Sequence, residues 1–262
     1  MNRALRTAAS GMMAQQMQVD TIANNIANVN TSAFKKNELN FRSLLYQTLR
    51  EPGTTSGAGQ MVPTGLQLGS GAEVASSVKI FMQGNLEPTN NPLDIAINGE
   101  GFFKIALGNG EFRYTRDGSF RLDGNGDVVT IDGFKLEPPI TVPSTAEEIV
   151  IAQDGTVLIT QPGTSTPATI GQVRISRFAN PTGLKAEGNN FFNETASSGA
   201  ASEQTPGTTG AGLLRQKFRE RSNVQIVDEL VALIQAQRNY EVNSRTIRVS
   251  DEMLQQVSNL IR

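Results

Sequence analysis

The sequence predicts an α+β fold: long N- and C-terminal helices pairing as a coiled coil, with a central, mostly antiparallel β domain. Three observations predict it. Residues 222–262 contain neither Gly nor Pro, residues 2–28 carry an apolar repeat of seven, and the stretch between is dense in Gly, Pro and hairpin dipeptides.

At the C-terminal end Ile226, Leu233, Tyr240, Ile247, Leu254 and Ile261 recur every seven residues, the period at which a helix keeps one seam toward a partner. From Ile226 to Ile234 the apolar side chains cover about 160° at about 100° per residue. The heptad positions Gln237, Ser244, Asp251 and Ser258 are polar, so a simple two-stranded zipper is a poor description. Ser222 is the expected N-cap, with Asp228 and Glu229 in the early turns. At the N-terminal end Leu5, Met12, Val19 and Ile26 are likewise seven apart, flanked by Ala8, Ala9, Ile22, Ala23 and Val29. Helices of about 27 and about 40 residues measure about 40 and 60 Å. An isolated helix in water is nearly neutral in stability, so each needs a partner surface. Both ends are therefore expected to pair while the middle projects. Closing a loop of this length is entropically unfavourable, so the helices are expected to stay largely disordered in the lone chain.

The 262 residues include 25 Gly and 11 Pro, and no Cys, His or Trp. Without Cys and His the commonest nucleophiles, acid/base groups and metal ligands are missing, which argues against an enzyme. No cofactor, metal or small-molecule substrate is expected. A formal charge of −2 gives no global field for nucleic acid or an anionic membrane. No run approaches the roughly 20 apolar residues needed to cross a bilayer. Residues 1–19 carry Arg3 and Arg6 and no acid before Asp20, as transit peptides do, but the apolar spacing continues unbroken and marks a structural helix.

Asn24, Asn25, Asn28 and Asn30 predict fraying near Asn28. Residues 38–50 read as a short helix or strand, 51–60 as a flexible loop or hairpin tip, and 61–83 as short β runs. From Gly84 to Phe192, hairpin signals at Asn98-Gly99, Asn109-Gly110, Asp117-Gly118, Asp123-Gly124, Asp132-Gly133 and Asp154-Gly155 punctuate short apolar strands. Residues 193–212 read as linker, and Leu214 to Arg221 as a basic strand pairing near residues 34–50. The expected division is 1–33 with 222–262 as a terminal helical domain, 34–83 with 193–221 as connector, and 84–192 as β domain.

Chemical motifs are weak. Asp123 to Asp127 starts like a calcium loop but has Val128 where Gly is needed and Phe134 where Glu belongs, so it reads as a turn. Gly99-Glu100-Gly101 lacks the third glycine of a dinucleotide loop and precedes a strand. The adjacent Glu147 and Glu148 show no further sign of a glycosidase cleft. The run Arg215 to Arg221 contains Glu220 and one aromatic, Phe218, which suits an interface strand better than a phosphate site.

The block from Ile22 to Lys36, with Asn24, Asn25, Asn28, Asn30, Phe34 and Lys35, resembles the N-terminal signature of the bacterial flagellar rod and hook family. Ala23 and Ala33 stand where that family usually has Ser and Gly. Similar blocks are Gly84 to Thr89, Leu93 to Phe103, Tyr114 to Phe120, Phe178 to Leu184, Ser222-Asn223-Val224 and Ile234 to Glu241, spanning nearly the whole chain. Residues 213–221 depart from the family pattern. Length and the Gly/Ser/Thr insertion at 51–60 are most similar to the family's distal-rod branch, with a hook or proximal-rod subunit as the alternative and a secreted glycan-acting hydrolase as a more remote one.

The resemblance implies a structural subunit of the basal body, exported through the flagellar export apparatus without a cleaved signal peptide. It implies a homo-polymer whose partners are proximal rod subunits, hook subunits and ring proteins. Leu5, Met12, Val19, Ile26, Ile226, Leu233, Tyr240, Ile247, Leu254 and Ile261 would form the inter-subunit seam. A loop containing Tyr46, Pro52, Gly53, Gly57, Met61 and Pro63, within 46–70, would order between neighbours and stiffen the shaft.

Overall fold

The computed structural model describes residues 2–53, 64–162, 166–208 and 210–260. Helix α1 spans Asn2–Ala27 and helix α2 spans Ile226–Leu260. The described residues between them form strands, turns and one 3-10 turn at Pro181–Gly183. Contacts divide the chain into a helical unit (Met1–Ala27, Asn37–Val78, Gln225–Arg262) and a β unit (Asn28–Lys36, Lys79–Val224). By contacts, residues 193–221 fall in the β unit.

In the helical unit the two helices pack on each other. Asn25 bonds Glu229, and the Cα of Gly11 lies against Asn243. Fourteen residues back along α1 (25 to 11) match fourteen forward along α2 (229 to 243), so the helices run antiparallel. Residues 38–50 resolve into strands: Asn37–Ser43 pairs with Ala72–Lys79, and Gln47–Arg50 pairs antiparallel with Leu66–Leu68. Ser222 does not cap α2. It is buried with its hydroxyl accepting from Val224 N, and the neighbouring Asn223 amide donates to the carbonyls of Ile80 and Met82, which holds this segment out of the helix. The carbonyl of Gln225 instead accepts the first helical bond, from Glu229 N. Asp228 and Glu229 occupy the first turn, as expected.

The β unit is organised on the strand Phe102–Ala106, which pairs antiparallel with Phe112–Thr115, Lys135–Glu137 and Ile175–Arg177 in a nine-stranded sheet. Side chains alternate along it: Phe103 and Ile105 enter the main core with Phe120, Leu136 and Ile175, while Phe102 enters a second cluster with Tyr114, Phe178 and Phe192. Rings meet edge to face, Phe103 on Phe120 at 5.2 Å and Phe102 on Phe178 at 5.6 Å. A three-stranded sheet of Glu148–Ile151, Thr156–Thr160 and Ala168–Gln172 adds Ile151, Val157 and Ile159 to the main core.

Gly110, Gly133 and Gly155 take the left-handed conformation that the hairpin dipeptides demand. Gly118 serves differently, since a Cβ there would lie 1.7 Å from the Ile95 carbonyl oxygen. At Asp123 the left-handed residue is Gly126, and the Asp123 carboxylate accepts from Asn125 N and Asp127 N, which makes the stretch a turn.

Two expectations fail here. Residues 193–212 are not linker: Ser202–Gln204 pairs with Ile175–Arg177, and Ser198 is buried in a turn where Thr195 and Ser198 satisfy each other's main chain. The 214–221 segment does not pair near 34–50. Leu213–Gln216 pairs with Ile95–Asn98, Lys217 turns in a left-handed conformation, and Phe218–Glu220 pairs with Leu86–Pro88.

Candidate assembly surface

The deepest line of α2 is Glu229, Ala236, Asn243 and Ser250. These are seven apart, and this intramolecular line runs three residues to one side of the apolar repeat proposed as an inter-subunit seam. Of that seam, Leu233, Ile247 and Leu254 are half-buried, Ile226 and Tyr240 are exposed, and Ile261 lies outside the described residues. On α1, Leu5, Met12, Val19 and Ile26 are all half-buried, and the buried residues are Ala8, Ala14, Ile22 and Asn25. Small side chains permit the close approach: a Cβ at Gly11 would lie 2.9 Å from the Asn243 amide nitrogen. Large apolar side chains on α2 face outward instead, with Val227 72 %, Val231 50 % and Ile234 50 % exposed. Met13 and Met17 of α1 are also exposed.

The asparagine block explains itself residue by residue. Asn25 is 2 % exposed and grips Asn37 through both main-chain groups: its Oδ1 accepts from Asn37 N at 2.9 Å and its Nδ2 donates to Asn37 O at 3.0 Å. Nδ2 also donates to Glu229 at 3.2 Å, so one amide joins α1, α2 and the first strand. Asn28 accepts from the Thr31 hydroxyl just past the end of α1, and Asn30 accepts from Arg221. Asn24 is exposed. Ala33 is buried with φ +55°, a conformation that glycine adopts without strain.

Phe34 and Lys35 belong to the β unit, where sequence reasoning missed the centre of their network, Glu220. Lys35 Nζ donates to Glu220 at 2.6 Å and to Met82 O at 2.7 Å. Arg116 meets the other Glu220 oxygen at 3.0 Å and donates to the carbonyls of Gly99 and Gly101. All three charged side chains are buried. Burial pulls the Lys35 ammonium below the ordinary lysine range against the opposing pull of Glu220. Gly84 N and Ala33 N also bond Glu220, through its carboxylate and its main-chain carbonyl, so this residue gathers three separate stretches of chain. Lys79 lies 5.1 Å over the Phe34 ring.

Of the predicted stiffening loop, Tyr46 is exposed and covers Gly69, while Pro52 and Gly53 are exposed at the end of their strand. Gly57, Met61 and Pro63 lie outside the described residues. Phe41, Leu45, Leu49 and Leu66 are exposed on the same paired strands and their connections. Among the described residues no group of three His, Cys, Asp or Glu is placed to hold a metal, and no helix is long and apolar enough to cross a membrane.

Three family models match: "Flagella basal body rod protein" over residues 5–35, "Flagellar hook protein FlgE/F/G D1 domain" over 96–159, and "Flagellar basal body rod FlgEFG protein C-terminal" over 215–260. The chain is 48 % identical to the flagellar basal-body rod protein FlgG of Caulobacter vibrioides, covering 98 % of this chain and 99 % of that one. Against FlgG of Borreliella burgdorferi identity is 48 %, and against FlgG of Bacillus subtilis 39 %, both over the full length of each chain.

Proposed function

The chain belongs to the family of flagellar basal-body rod proteins, and on that premise we propose its working form: a non-enzymatic structural subunit of the distal rod, polymerised into a rigid shaft that transmits torque. The observation that carries this reading is the inversion on α2. Small and polar side chains are spent on the intramolecular helix contact, and the large apolar ones are left outward for neighbours. Terminal helices side by side in coiled-coil fashion would then line the inner tube, with Leu5, Met12, Val19, Ile26, Leu233, Ile247 and Leu254 on the flanks of each pair. Repetition of one contact that does not close gives an open filament. Neighbours along the shaft would be copies of this chain, other rod subunits and hook subunits, and the β unit would face the ring proteins.

Two measurements test this. Purified protein, concentrated and imaged by electron microscopy, should give straight filaments; a chain that remains a single copy at every concentration refutes the polymer. Deleting 46–70 should leave filaments that bend, since exposed Leu45, Tyr46, Leu49 and Leu66 gain cover only from a neighbour. Equally rigid filaments would remove that role from the segment.

A further inference from the structure

A cleft of about 360 Å³ in the helical unit is lined by Arg3, Arg6 and Thr7 of α1, by residues 44–47, and by Ser70. Two guanidinium groups face it and, among the described residues, no carboxylate lines it. Arg3 donates to the Gln47 side chain, and Arg6 is exposed at the rim. Beside the arginines stand Leu45, 89 % exposed, and Tyr46, 59 % exposed. The surface is therefore an apolar knob next to positive charge.

Its complement is on α2. Val227, Val231 and Ile234 follow i, i+4, i+7 spacing on one exposed row. Asp228 flanks that row and Glu241 continues it, both exposed. Within one chain the two surfaces are out of reach. The antiparallel register pairs positions whose numbers sum to 254, which sets Arg6 level with residue 248, and 17 residues from Val231 to that level is about 25 Å of helix.

We propose that these surfaces dock between successive copies of this chain: Leu45 and Tyr46 of one copy cover the Val227, Val231, Ile234 row of the next, while Arg3 and Arg6 meet Asp228 and Glu241. The contact is head to tail and does not close, so it propagates. Apolar burial supplies the attraction, and the charges fix which part of the row is engaged. The proposal rests on the polymeric reading above and names one of its interfaces.

The chain contains no cysteine, so introduced thiols report without background. Leu45→Cys and Val231→Cys chains, mixed, polymerised and oxidised, should give disulfide-linked dimers that neither chain gives alone, and the doubly substituted chain should give a ladder. Arg6→Glu should raise the critical concentration for polymerisation at least tenfold, and Asp228→Arg in the same chain should recover most of that loss. Filaments that form without the 45–231 disulfide, or an Arg6→Glu defect that Asp228→Arg leaves untouched, overturn the proposed contact while the polymer stands. Absence of any filament overturns both.

Discussion

In the β unit the bulkiest side chains are the most buried: Phe103, Phe120, Ile105, Leu136 and Ile175 are fully enclosed. In the helical unit, Ile22 apart, the enclosed side chains are small or polar, with Ala8, Ala14, Ala236 and Ser250 enclosed and Val227, Val231, Ile234 and Met13 exposed. The first unit encloses most of its large aromatic and branched side chains within one chain, leaving Met82 and Ile131 as its most exposed. The second has kept back apolar area worth about 25 cal/mol per Å² for a later contact. The two units thus differ in where their large side chains go.

The comparison can be broken or sharpened at four places. Glu220→Gln leaves Lys35 and Arg116 as two buried cations without their shared anion, and should cost the β unit about 3–5 kcal/mol in urea unfolding; a cost near zero would mean the network is not a structural anchor. Asn25→Ala removes three hydrogen bonds at the helix junction and should cost about 1–3 kcal/mol. It should be read as faster amide exchange confined to the helical unit, whereas uniform exchange across both units would contradict the division. Gln18 Oε1 is buried without a partner, at the height of Ala236 by the same register, so Gln18→Leu should stabilise the helix pair by about 1 kcal/mol. The smallest effect on the single chain is expected for Ile234→Asp, under about 0.5 kcal/mol. The same change should raise the critical concentration for polymerisation, and an unchanged one would end the distinction between the units.

How far the sequence disclosed this depends on the kind of contact. Helix spans were legible because α2 has no Gly or Pro and both ends repeat every seven residues. The intramolecular contact line, three residues from the apolar repeat, was not legible because close approach selects Gly11, Ala236 and Ser250, which an apolar pattern does not mark. Strand positions around Phe103 and Ile105 followed from the hairpin dipeptides, but partners did not: Leu214 pairs with Ile97 across most of the β unit, and nothing local to either specifies the other. The Lys35 to Glu220 pair spans 185 residues and showed only as an acid inside a basic run. Residues 193–212 looked like linker since their order rests on Thr195 and Ser198 hydroxyls bonding main chain, which composition does not distinguish from a solvated loop. The asparagine block was recognised as a whole, yet the double grip of Asn25 on Asn37 needed coordinates.

The antiparallel pairing of α1 with α2 also fixes a timetable. At translation rates of roughly 5–20 residues per second, the stretch from Ala27 to Ile226 takes roughly 10–40 s to synthesise. Helix–coil relaxation takes about a microsecond, so throughout that interval α1 of every nascent chain is a fluctuating helix lacking its mate.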